Sequence, residues 1–237
     1  MVKTIDVRSG RLSKEKISEN FSDMHPPLSP ENAIVESNRC FFCYDAPCVD
    51  ACPTAIDIPN FIRKISTGNL KGSAKDILTQ NIMGGMCARV CPTESLCEGV
   101  CVRHTGEKQP VRIGELQRYA TDWFFETGET FFERGKSTNK RIAVIGGGPA
   151  GLSCAHKLSV YGHDVVIFES RKKLSGLNEY GIAAYKTVDN FAQKEVEFIL
   201  NIGGIEIFTN KSLGKEIFLD RLRNDFDAVF LSLGLGN

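Results

Sequence analysis

No charge of either sign predominates in this chain. Its 237 residues carry 29 basic and 29 acidic side chains, a balance that argues against a nucleic-acid-binding protein, which needs a basic excess. No apolar run approaches the ~18 residues of a membrane helix, so no membrane partner is expected. The opening stretch MVKTIDVRSGRLSKEKISENF is polar and has no apolar signal segment. Nothing in it directs the chain out of the cell, and a cytoplasmic location is expected. Low-complexity runs are missing. Histidine is scarce, and His25, His104, His156 and His163 form no ligand constellation. No catalytic general acid or base is expected.

Cysteine, by contrast, is concentrated. Of nine cysteines, all but Cys154 lie in two groups, RCFFCYDAPCVDACP and MCARVCPTESLCEGVC. In a reducing compartment clustered thiols more often bind metal than form disulfides. The first group reads C-x2-C-x4-C-x3-C-P and the second C-x3-C-P-x4-C-x3-C. Zinc sites usually present facing C-x2-C-like knuckles. Close runs ending in Cys-Pro instead resemble the pattern in which the last cysteine before proline ligates a neighbouring iron–sulfur cluster. By that logic Cys40, Cys43 and Cys48 share one [4Fe–4S] centre, Cys52 crosses to a second, and one late cysteine crosses back. Two structural zinc ions are the alternative.

Around these groups the sequence reads as helical. Residues 1–36 form a polar arm with one or two short helices and a Pro-rich bend, HPPLSPENA. Residues 37–135 form the cysteine region. Pro59 opens a helix with Ile58, Ile62 and Ile65 on one face, LKGSAKDILTQN is another, and Ile113, Leu116, Ala120 and Phe124 form a stripe at helical spacing. Gln117 interrupts that stripe. A buried polar side chain needs a partner, and spacing alone favours a core glutamine bonded to backbone over a ligand. Residues 136–140, KSTNK, read as a linker.

From residue 141 the period changes. RIAVIGGGPAGLSCAHKLSVYGHDVVIFES reads strand, Gly-rich turn, helix, strand, and further helix and strand signals follow. This alternation implies a parallel sheet with helices on its faces. Gly146, Gly148 and Gly151 supply G-x-G-x-x-G directly after the first strand: a tight turn, close approach to a pyrophosphate, and close helix–sheet packing. The helix start offers free N–H groups to phosphate. Glu169 ends the second strand, where an acid holds ribose hydroxyls and repels a 2′-phosphate. FAD and NAD share this fingerprint. Cys154, in the helix after the turn, reads as a small buried residue.

CFFCYDAPCVDACP, MCARVCPTESLCEGVC, IGELQRYA and GGGPAGLSC together resemble the N-terminal, electron-input part of dihydropyrimidine dehydrogenase, and more closely the bacterial subunit that carries only that part. The small subunit of NADPH-dependent glutamate synthase is similar in plan. The resemblance runs from about residue 30 to the end. It implies an all-helical double-cluster domain followed by a Rossmann-like α/β FAD domain. It assigns one [4Fe–4S] cluster to Cys40, Cys43, Cys48 and Cys101, and the other to Cys52, Cys91, Cys97 and Gln117, with Cys87 left spare. This reverses the reading of Gln117. For FAD it implies Gly146, Gly147, Gly148, Pro149, Ala150 and Gly151, with Glu169, Gly176, Leu177, Lys186 and Leu213. Ser175 stands where the family has glycine, Ala183 where it has proline, and Lys186 where it has arginine.

The resemblance also implies that electrons from NAD(P)H pass through FAD and two clusters to an FMN-containing partner subunit that reduces uracil or thymine. The alternatives are electron input to glutamate synthesis and a non-catalytic cluster-binding module. A second glycine fingerprint, which the family uses for NAD(P)H, is not present, so the expectation is a fragment of a longer protein whose FAD domain is incomplete.

Overall fold

The computed structural model describes residues 12–235. Among these, every element before residue 128 is helical. The α-helices are, in order, α1 (Lys14–Asn20), α2 (Pro30–Ser37), α3 (Pro47–Asp50), α4 (Ile58–Ser66), α5 (Leu70–Gln80), α6 (Gly84–Val90), α7 (Val102–Glu107) and α8 (Ile113–Thr127), with a 3₁₀ turn at Thr93–Ser95. Local chemistry sets the boundaries. Ser13, Ser29, Asp57 and Asn69 each accept a backbone N–H at a helix start, satisfying donors that the first turn leaves free. Gly128 closes α8 in the left-handed region at φ 66°.

The expected stripes pack as one core. Ile58, Ile62 and Ile65 from α4 meet Ile77 from α5 and Ile113, Leu116 and Ala120 from α8. Ala33 of α2 belongs to the same core, so a boundary at residue 36 cuts through a helix that the cysteine region needs.

The α/β region follows: β1 (Arg141–Ile145), α9 (Pro149–Val160), β2 (Asp164–Glu169), α10 (Leu177–Tyr180), α11 (Phe191–Leu200), β3 (Ile205–Thr209), α12 (Leu219–Asp225) and β4 (Ala228–Leu231). All pairings are parallel, in the order β3-β2-β1-β4, with Ile145 opposite Phe168 and Leu231. Side chains alternate across the sheet. Val144, Val165 and Ile167 pack with Leu152 of α9 and Ile199 of α11, while Ala143 and Ile145 face Leu222 of α12. β4 is an edge strand, and Phe230 and Leu231 are exposed on it.

The two regions are packed against each other. Ile82 and Met83 enter the core beneath the sheet. Phe124 of α8 stacks on Phe131 at 4.5 Å and meets Phe198 of α11 edge-on at 5.1 Å. Nor does the connecting segment hang free: Gly135 N donates to Ser159 O and Thr138 N to Gly162 O. No helix of the described residues is long and apolar enough to cross a membrane.

Candidate cluster and nucleotide sites

Four cysteines line a first hollow: Cys40, Cys43, Cys48 and Cys101. The chain reaches it by an irregular path, with Phe42 at φ 52° and Ala46 at φ 20°, a region that non-glycine residues seldom adopt. Phe42 N donates to Cys40 Sγ at 3.4 Å. Cys48 rides on α3, and Cys101 caps the start of α7. The remaining wall is largely apolar, including Ile58, Ile62 and Val111, with Arg103 at the rim stacked on Phe41 at 4.0 Å. Burial pushes the Cys48 thiol up to about 12, reinforced by Cys40 and Cys101.

A second hollow lies on the other side of Ile58, which lines both. Its donors are Cys52, Cys87, Cys91, Cys97 and Gln117. Cys48 and Cys52 flank the end of α3, so one short helix feeds both hollows. Cys97, pushed up to about 12 by burial and the adjacent Glu98, also senses Cys52 and Cys48. Cys87 lies on α6 and Cys91 caps that helix one turn later, on the same face. The two thiols interact, Cys87 being driven up and Cys91 down. Gln117 is 6% exposed and donates Nε2 to Gly84 O at 2.8 Å. Its backbone bond and its place in the wall coexist, because the amide carries a donor at one end and an acceptor at the other.

The thiols surround voids rather than closing on a point. A tetrahedral zinc with Zn–S near 2.3 Å would hold its sulfurs about 3.8 Å apart. Among the described residues no three cysteine, histidine or carboxylate groups are gathered for a single ion.

The Gly-rich turn lies between β1 and α9. Gly146 has φ 107°, and a Cβ on Gly151 would sit 1.9 Å from Gly146 O, so neither position tolerates a side chain. Gly148 caps α9, Pro149 fills its first turn, and Ala150 follows. Glu169 is buried; Oε2 accepts from Gly147 N at 2.7 Å and Oε1 from Arg171 N at 2.7 Å. Ser175 N donates to Gly147 O at 2.7 Å, and Gly176 lies against Gly148. Thus Gly146–Gly151, Glu169 and Gly176 converge. Leu177 begins α10 and is 67% exposed. Among the described residues no hydrogen bond ties Lys186 or Leu213 to the turn. Lys186 lies in a single 3₁₀ turn at 184–186, and Leu213 packs with Ile145 and Leu222. Ser175 has φ 84°, is fully buried, and its Oγ has no partner. The backbone there is the kind glycine adopts without penalty. The cradle fits a dinucleotide: it offers N–H groups, an orphaned hydroxyl and backbone that side chains do not screen.

Sequence reasoning passed over Glu195. It lies on the apolar stripe of α11 with Phe191, Val196 and Ile199, and its Oε1 accepts from Gly85 N and Met86 N at 2.9 and 3.0 Å. A charged residue at a stripe position was the available signal. Arg89 of α6 stacks on Phe191 at 3.4 Å and donates to Asp122 at 2.5 Å. Cys154 is half-buried, its thiol raised by burial alone.

Residues 17–129 match the family described as dihydropyrimidine dehydrogenase domain II, 4Fe-4S cluster, and residues 144–190 the NAD(P)-binding Rossmann-like domain. The NAD-dependent dihydropyrimidine dehydrogenase subunit PreT of Escherichia coli O157:H7 is 38% identical over 92% of this chain and 53% of that protein. The glutamate synthase [NADPH] small chain of Escherichia coli K12 is 35% identical over 90% of this chain and 45% of its own length. The chain therefore spans about half the length of these curated relatives. Among solved structures, a 6-hydroxypseudooxynicotine amine oxidase from Pseudomonas geniculata N1 aligns with a TM-score of 0.37 at 19% identity, over 80% of this chain and 24% of that one. The resemblance read from the cysteine and glycine motifs therefore holds: over most of its length this chain is similar in sequence to the PreT subunits of dihydropyrimidine dehydrogenase and to the glutamate synthase small chain.

Proposed function

We propose that the chain is the electron-input portion of a flavin- and iron–sulfur-dependent oxidoreductase. One [4Fe–4S] cluster is held by Cys40, Cys43, Cys48 and Cys101, and the other by Cys52, Cys91, Cys97 and Gln117. The observation that carries this reading is the pairing of two abutting hollows, each walled by thiols from both sequence groups. Soft thiolate donors around a void suit iron–sulfur clusters. Desolvated thiols yield their protons on ligation, and Ile58, Ile62, Val111 and Leu96 keep water away. With Nε2 engaged by Gly84, Gln117 offers its Oε1 to the second site.

FAD is proposed to lie on Gly146–Gly151 with Glu169, Gly176 and Leu177, and with Lys186 and Leu213 farther along the chain. When bound, flavin and clusters convert a two-electron hydride from NAD(P)H into single electrons. The chain's own part is to hold these groups at fixed separation. In the intact protein the electrons are proposed to reach an FMN-containing subunit, in a hetero-oligomer, that reduces uracil or thymine. Service to glutamate synthesis is the second reading, favoured by the near-equal identity to that small chain.

The ligand assignment has a direct test. Cys87→Ser keeps both clusters, while Gln117→Leu perturbs the second, read by iron content and electron paramagnetic resonance of anaerobic protein. Loss of a cluster in Cys87→Ser with none in Gln117→Leu would reverse the assignment.

A further inference from the structure

The helix that carries Cys87 and ends on Cys91 is held from both halves of the molecule. Gln117 of α8 takes Gly84 O at 2.8 Å, and Glu195 of α11 takes the next two amides, Gly85 N and Met86 N. Phe191, one turn before Glu195, carries the Arg89 guanidinium on its face at 3.4 Å. The ring comes so near the backbone that a Cβ on Gly85 would lie 2.6 Å from it. Arg89 returns to Gly85 O at 3.0 Å and to Asp122 of α8. α6 has seven residues, too few to be stable without tertiary support. Among the described residues no hydrogen bond links the Cys40–Cys48 segment or Cys101 to α11.

We infer that Glu195 and Phe191 are positioning residues for the second metal site: the nucleotide-binding half sets where α6, and with it Cys91, stands relative to Cys52, Cys97 and Gln117. This rests on the reading of those four residues as ligands. Glu195 touches no ligand and acts through the two amides. Outer partners of this kind orient ligands and typically govern metal retention about 10- to 100-fold. The first site, built from segments α11 does not hold, serves as the internal reference.

The test uses the whole chain, purified without air. Iron release to a chelator is followed for each cluster, alongside a redox titration read by electron paramagnetic resonance. The signal lost in Cys97→Ser identifies the second cluster. Glu195→Ala releases second-cluster iron about tenfold faster and shifts its potential, while the first cluster keeps its parent values. Glu195→Asp, which withdraws the acceptor by one methylene, gives the same selective change should the alanine variant fail to fold. Glu195→Gln, which still accepts both N–H groups, restores the parent behaviour. Equal change at both clusters, or none at the second, overturns the inference. Parent protein with no iron–sulfur cluster overturns instead the ligand reading on which it rests.

Discussion

Replacing Glu195 with glutamine should flatten a fall in stability that the parent shows between pH 4.5 and 8. Glu195 is fully buried, and burial is the largest influence on it, lifting its carboxyl to about 8 against an ordinary 4.5 despite the Met86 and Gly85 amides and the nearby Arg89. Cys87 also faces it and pushes the same way, while Asp122 and Arg118 stand behind Arg89. The sign follows from which state holds the proton. Between pH 4.5 and 8 the unfolded chain has lost it and the folded chain keeps it. Stability from this group is therefore full below 4.5, falls steadily from 4.5 to 8 by about 5 kcal/mol, and is level above that. For a chain of this length that is on the order of 10 °C in melting midpoint. Glutamine keeps the acceptor for both amides and has no proton to lose.

Anaerobic thermal unfolding of parent and Glu195→Gln at pH 5.5, 7 and 8.5, at one scan rate, measures the difference. Other titrating groups cancel in that difference, including His156, which burial holds down at about 4. The variant should come nearest the parent at pH 5.5 and outlast it increasingly at pH 7 and 8.5. Parallel profiles, or a variant weaker at pH 8.5, would refute a neutral buried acid.

Three further outcomes are expected. Ser175→Gly relieves a left-handed backbone and removes a buried hydroxyl without a partner, stabilising the fold by about 1–2 kcal/mol in chemical denaturation. Gly151→Ala drives a methyl into Gly146 O, which is backbone and cannot give way; flavin per purified chain should fall severalfold while iron content holds. Asp23→Ala leaves Arg118 with Asp122 but strips the pair that Asp23 forms at 2.5 Å, costing about 2 kcal/mol. It also frees residues 21–25, which Met24 N ties to Tyr185 O, and limited proteolysis near His25 should report it.

What the sequence disclosed and what it withheld divide along physical lines. Periodicity exposed the α4 and α8 stripes because each element carries its own pattern. The Gly-rich turn was legible because Gly146 and Gly151 answer to local sterics. Cysteine spacing drew two groups, and the structure gathers the same thiols around two hollows, with Cys97 sensing both Cys52 and Cys48. Spacing alone read Gln117 as a core glutamine bonded to backbone, and its Nε2 does donate to Gly84 O; its place in the wall of the second hollow is set by tertiary packing that a one-dimensional stripe does not carry. The pairing of α6 with α11 was invisible: Gly85 and Glu195 stand 110 residues apart, and nothing local in either segment names the other. Likewise α2 was placed in a polar arm because its one fully buried apolar residue, Ala33, is too small to mark a stripe.

The central claim is that the two hollows hold iron–sulfur clusters beside a flavin. Purification without air followed by joint assay of iron, sulfide, zinc and flavin tests it most directly. The account predicts four iron and four sulfide for each of two clusters, with FAD and no stoichiometric zinc. Two zinc ions per chain with neither iron nor sulfide would contradict it.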